Sequence, residues 1–100
     1  MLLKQLKTKK KDIELILNDE KRQMINIGDI IEFLHIDTNE VIKVEVINLY
    51  KYSTFEELFS KFEHKRFGLK DNDDASIMNN FYSREDQEKY GTLGIEIKLI

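Results

Sequence analysis

The sequence predicts a small α+β domain, a mixed β-barrel of about five strands with two or three helices, and three observations carry that expectation. A Gly28-Asp29 step opens an apolar strand at Ile30-Ile31-Glu32-Phe33. A second strand, Val41 to Tyr52, runs directly into a capped amphipathic helix at Ser53. The chain then closes on the alternating stretch Gly91-Thr92-Leu93-Gly94-Ile95-Glu96-Ile97. That many strands leave edges to hide, and closure into a barrel hides them.

Each element follows from a local pattern. Leu2, Leu3 and Leu6 make a short helical stripe. From Asp12 the period becomes two, with Ile13, Leu15 and Leu17 on one face and Glu14 and Ile16 on the other, which predicts a half-buried strand. Asn18 to Gln23 is polar and reads as a loop. Ile30 to Ile36 and the strand from Val41 pair antiparallel across the turn formers Asp37-Thr38-Asn39-Glu40. Ser53 and Glu56 have capping-box spacing, and behind them Phe55, Leu58, Phe59 and Phe62 form one apolar helical face over a barrel opening. Phe67-Gly68 ends that unit. A second helical stretch covers Ser76 to Tyr82, Ser83 with Asp86 caps a further helix, and Gly91 stops it. In the last strand Leu93, Ile95, Ile97 and Leu99 point inward, and Glu96 and Lys98 outward.

Composition bounds the function. One hundred residues make a single domain, 1–100, and 41% apolar residues suffice for a core beneath a 35% charged surface. Without cysteine there is no disulfide, thiolate nucleophile or cysteine-based zinc site. His35 and His64 are too few for a histidine metal site, and Asp71-Asn72-Asp73-Asp74 lacks the spacing of a calcium loop. No metal or cofactor is therefore expected. No apolar run reaches membrane-span length and no signal-peptide pattern opens the chain, so the expected location is the cytoplasm, with no membrane contact.

Charge is unevenly spread over the net −3. Residues 1–22 hold seven Lys and Arg against four acids, whereas residues 23–100 hold nine against fifteen. A basic end can grip a phosphate-rich ligand, while an acidic body suits a basic protein partner.

Four stretches together resemble the ASCH family of PUA-like barrels: Leu17-Asn18-Asp19-Glu20-Lys21-Arg22-Gln23, Ile27 to Phe33, Leu49-Tyr50-Lys51-Tyr52 with Phe55-Glu56-Glu57-Leu58, and Tyr90 to Ile95. The resemblance implies a PUA-like, ASCH-type barrel and a signature G-x-K-x-x-E-x-R beside a cleft. Here Lys11 and Glu14 match its lysine and glutamate, while Lys9 stands at the glycine and Ile16 at the arginine. The family pattern also has an earlier strand, and Met1 falls where the following helix is already under way. Isoleucine offers none of the forked donors of arginine, and lysine resists the φ > 0 freely open to glycine.

These changes favour binding over chemistry. The expectation is a non-catalytic ASCH-like module that recognises RNA or a nucleoprotein, with Lys9, Lys10, Lys11, Lys21 and Arg22 as a basic rim. One alternative is a phage or mobile-element inhibitor whose acidic body docks on a host nuclease such as a CRISPR effector. The other is an amidohydrolase on acylated cytidine, or a ribonuclease, with Lys11 and Glu14 catalytic; the like charges of Lys9 and Lys10 would favour the neutral amine of Lys11. Tyr50, Tyr52, Tyr82 and Tyr90 could stack on bases, but their patterning favours packing. An open strand edge leaves homodimer pairing as a further option.

Overall fold

The closing strand occupies the middle of the sheet. In a computed structural model, which describes residues 12–35 and 37–100 and His35 by its backbone alone, β4 (Thr92–Leu99) lies between β1 (Ile13–Leu17) and β3 (Glu40–Tyr52). β2 (Ile30–His35) pairs with β3 and forms the other edge, and all three pairings are antiparallel. Helices α1 (Phe55–Lys61) and α2 (Arg84–Tyr90) pack with 3₁₀ turns at His64–Phe67 and Ala75–Asn80. The result is α+β, with four strands rather than about five among the described residues. Asn18 to Ile27 makes no strand, because Asp19 draws the chain into a 3₁₀ turn at Arg22–Met24 by accepting the Arg22 N–H at 3.0 Å.

The two faces have separate cores. Ile13, Leu15 and Leu17 of β1 pack with Phe55, Leu58, Phe59, Phe67, Ala75 and Met78 under the helices. Ile42, Val44 and Val46 of β3 join Leu93, Ile95 and Ile97 of β4 on the opposite face. Residues from both edge strands, β1 and β2, line a cavity on that second face. A flat four-stranded sheet would hold those edges about 14 Å apart. The sheet is therefore curled into a half-barrel, open along its edges among the described residues, where the sequence predicts a closed or nearly closed barrel.

A bulge distributes β3 between the two cores. Val46 pairs with Ile97 but Asn48 with Glu96, so Ile47 is an extra residue. One inserted residue exchanges the faces of everything beyond it. Before the bulge Val44 and Val46 enter the concave core; after it Leu49 does, and Tyr50 and Tyr52 turn to the helices.

The helix after β3 starts one residue later than its capping pattern predicts. Thr54, not Ser53, is the N-cap, and its Oγ1 accepts the Glu57 N–H at 3.2 Å. Both Ser53 and Thr54 have a glutamate three residues on. The later start makes Phe55 the first helical residue, fully buried beside Leu58 and Phe59. Phe62 follows the helix and is half-buried. The Ser83 cap is as predicted, accepting the Asp86 N–H at 3.0 Å, and Gly91 ends α2 at φ 73°. Gly94 lets α1 approach the sheet: a Cβ there would stand 3.2 Å from both Leu58 Cδ1 and Ile13 Cγ2.

Glu96 corrects the simple alternation of the last strand. It does not point to solvent but joins a polar group on the helix side, where Tyr50 Oη donates to its Oε1 at 2.5 Å and Arg66 Nη2 lies 3.3 Å from its Oε2. A central strand is covered on both faces, so its polar alternates need partners rather than water. Among the described residues no helix is long and apolar enough to cross a membrane.

Candidate functional site

Period-two geometry carries Glu14 and Ile16 to the concave side of β1, opposite the buried Ile13, Leu15 and Leu17. The same alternation delivers Ile31 and Phe33 from β2 and Ile95 and Ile97 from β4. The 3₁₀ turn after β1 adds Arg22 and Ile25. These eight side chains line one cavity of about 190 Å³. Among the described residues its walls are apolar, and its lining holds one carboxylate and one guanidinium.

Arg22 is held from behind. Its Nη1 donates to Asp19 Oδ2 at 3.2 Å, while Asp19 Oδ1 takes the Arg22 backbone N–H. The ion pair orients the guanidinium but also offsets part of its charge. Tyr82 lies in the helix-side core, stacked on Phe55. Burial pushes its phenol above the ordinary value, the Glu14 and Asp19 carboxylates add to the rise, and Arg22 opposes it. A carboxylate and a guanidinium thus line an apolar pocket. Such a set can accept and donate hydrogen bonds at the edge of a flat polar ring while the isoleucines and Phe33 cover its face.

The predicted site residues divide. Glu14 and Arg22 both line the cavity. Lys21 is exposed on the neighbouring turn and lines no part of the cavity. Lys9, Lys10 and Lys11 lie outside the described residues. Asp12, which shares the parity of Glu14, is diverted before the strand begins, and its carboxylate pairs with Arg66 at 2.8 Å. The walls Ile25, Ile31, Phe33, Ile95 and Ile97 were not singled out by the sequence. The alternation in β2 and β4 is their only local signal, and their convergence depends on the curl of the sheet.

The tyrosines are engaged in packing. Tyr50 tilts against Phe62 with ring centroids 4.7 Å apart, and Tyr82 stacks on Phe55 at 6.1 Å. Tyr52 and Tyr90 are half-buried against the same core. His64 meets the Phe59 ring edge-on at 5.2 Å. The acidic loop is occupied by turn formation: Asp73 Oδ2 accepts the Lys70 N–H and Asp74 Oδ1 the Ser76 N–H, each at 2.9 Å. Among the described residues no group of three His, Cys, Asp or Glu could hold a metal ion.

No family model matches this chain, and no curated protein matches it significantly. Among solved structures it is similar to the crystal structure of hypothetical protein PH0355, with 35% identity and a TM-score of 0.84 over 99% of this chain and 91% of that one. It is also similar to the solution NMR structure of Protein PF0455 from Pyrococcus furiosus, with 32% identity and a TM-score of 0.76 over 99% of this chain and 89% of that one.

Proposed function

This chain belongs to one family with hypothetical protein PH0355 and Protein PF0455, and from that premise we propose that it is a non-catalytic, ASCH-like binding module of PUA-like type that recognises single-stranded RNA. The observation that carries the reading is the meeting of Glu14 and Arg22 on one apolar cavity. At about 190 Å³ this cavity falls below the ~300–1,000 Å³ of sites that enclose whole small molecules. It has room for one base, with the rest of the strand outside.

The roles follow from the chemistry. Glu14 accepts N–H groups from the edge of a base. Arg22 donates to a carbonyl or phosphate oxygen, and Ile31, Phe33, Ile95 and Ile97 cover the ring. Ile16 stands where the ASCH signature has arginine, and Arg22 brings a guanidinium back to the same wall from the following turn.

Fluorescence anisotropy with short labelled single-stranded RNAs tests this. Binding should weaken as salt rises, because phosphate contacts release counterions. Arg22→Ala should lower affinity about tenfold or more, the loss of a charge-assisted hydrogen bond. Glu14→Gln should change which base is preferred more than it changes total affinity. Absence of RNA binding at low salt would overturn the reading, as would hydrolysis of acylated cytidine or cleavage of the RNA.

A further inference from the structure

Edge strand β2 has β3 as its single sheet neighbour among the described residues. Two backbone bonds establish which of its groups look outward. The Val46 N–H donates to the Asp29 carbonyl at 2.8 Å, so the Asp29 carbonyl faces β3. The Ile100 N–H donates to the Lys43 carbonyl at 3.2 Å, so Lys43 turns its carbonyl away from its cross-strand partner Glu32. Antiparallel alternation then directs the N–H and C=O of Ile30, Glu32 and Leu34 away from the sheet. The side chains of Ile30 and Leu34 are also 54% and 60% exposed. An apolar strand whose hydrogen-bonding edge is open among the described residues is a template for another strand.

We infer that the occupant of this edge is a second copy of the chain, with β2 pairing antiparallel to β2 of the partner subunit in a register centred on Glu32. In that register Ile30 faces Leu34 of the partner subunit, Ile31 faces Phe33 of the partner subunit, and the converse pairs follow from the twofold axis. The hydrogen-bonded positions of the new ladder are Ile30, Glu32 and Leu34, the residues whose backbone groups are turned outward. A register centred on Phe33 keeps outward residues paired but sets Glu32 against Leu34 of the partner subunit, a charge against an apolar side chain. In the chosen register Glu32 meets Glu32 of the partner subunit, and each carboxylate is flanked by its own Lys43 at 3.6 Å. The charges then run Lys, Glu, Glu, Lys across the junction and sum to zero.

One strand pair covers less than the ~800 Å² per partner of a stable interface, so association is reversible and concentration-dependent. The central Glu32 pair restrains it further.

Sedimentation equilibrium of the whole chain, from micromolar to millimolar concentration, tests this, with thermal unfolding of each variant as a check on folding. Glu32→Gln removes the like-charge contact and should tighten the dimer about two- to fivefold. Leu34→Lys should abolish it. Val41→Lys, on the neighbouring strand directly opposite Leu34, should leave the dimer unchanged. A chain that stays monomeric throughout would overturn the inference. Equal loss with Val41→Lys would mean stacking through the sheet face, and a weaker dimer with Glu32→Gln would exclude the register.

Discussion

The Arg66 guanidinium grips the Asp12 carboxylate with a two-point fork, Nε to Oδ1 at 2.9 Å and Nη2 to Oδ2 at 2.8 Å. The pair joins the entry to β1 to the 3₁₀ turn at His64–Phe67, and the Asp12 N–H donates to the Arg66 carbonyl at 3.0 Å beside it. Arg66 also lies 5.3 Å over the Phe62 ring. One side chain therefore fastens β1, the turn and the polar alternate Glu96 of the central strand.

Arg66→Ala should destabilise the domain by about 1–2 kcal/mol, charge-assisted bonds trimmed by the partial exposure of both partners. The melting temperature should fall by roughly 5–15 °C in a domain of this size. Arg66→Lys should recover little, because an ammonium cannot reproduce the fork. Recovery of full stability by lysine would mean that charge alone matters here.

Phe59 is 5% exposed, stacked on Phe67 at 5.1 Å and facing His64. Phe59→Ala should cost about 3–5 kcal/mol, the loss of a large buried ring and the cavity left behind. Denaturant unfolding should show a lower midpoint with an unchanged slope.

How much of this was legible depended on whether one signal spoke alone. In β1 the alternation Ile13, Leu15, Leu17 had no competitor, and the structure reproduces it. At the start of α1 two capping boxes overlap, Ser53 with Glu56 and Thr54 with Glu57, and only the burial of Phe55 decides between them. In β3 the apolar run Val44 to Tyr50 supports either face. The bulge at Ile47, which settles the question, leaves no mark in a strand without glycine. Glu14 and Arg22 were picked out by sequence, but their shared cavity was not. It exists because the curl brings β1 and β2 together, a long-range outcome that no local spacing encodes.

Tyr50 makes the domain sensitive to alkali. Its hydrogen bond to Glu96 raises its pKa above the ordinary value, and burial adds to the effect. A raised folded-state value means that the neutral phenol contributes stability fully below the unfolded value of ~10. That contribution is lost as pH climbs through the folded value. Ultraviolet titration should find two phenols ionising late, Tyr50 and Tyr82; one of them is lost in Tyr50→Phe and moves back toward ordinary values in Glu96→Gln. A Glu96→Gln titration identical to the parent would detach Tyr50 from this carboxylate.

Asp19 separates holding a guanidinium from neutralising it. Its Oδ1 accepts the Arg22 N–H at the start of the turn, and its Oδ2 pairs with Nη1. Asp19→Asn keeps an acceptor for that N–H and removes the charge. Stability should stay within about 0.5 kcal/mol of the parent, the usual range for a surface change that spares such features. RNA affinity should rise about two- to fivefold at low salt, because Arg22 then presents its whole charge to phosphate. Asp19→Ala removes the acceptor as well and should cost about 0.5–2 kcal/mol in thermal unfolding. If Asp19→Asn binds RNA more weakly than the parent, orientation of the guanidinium outweighs its charge, and Asp19 is a positioning residue for Arg22.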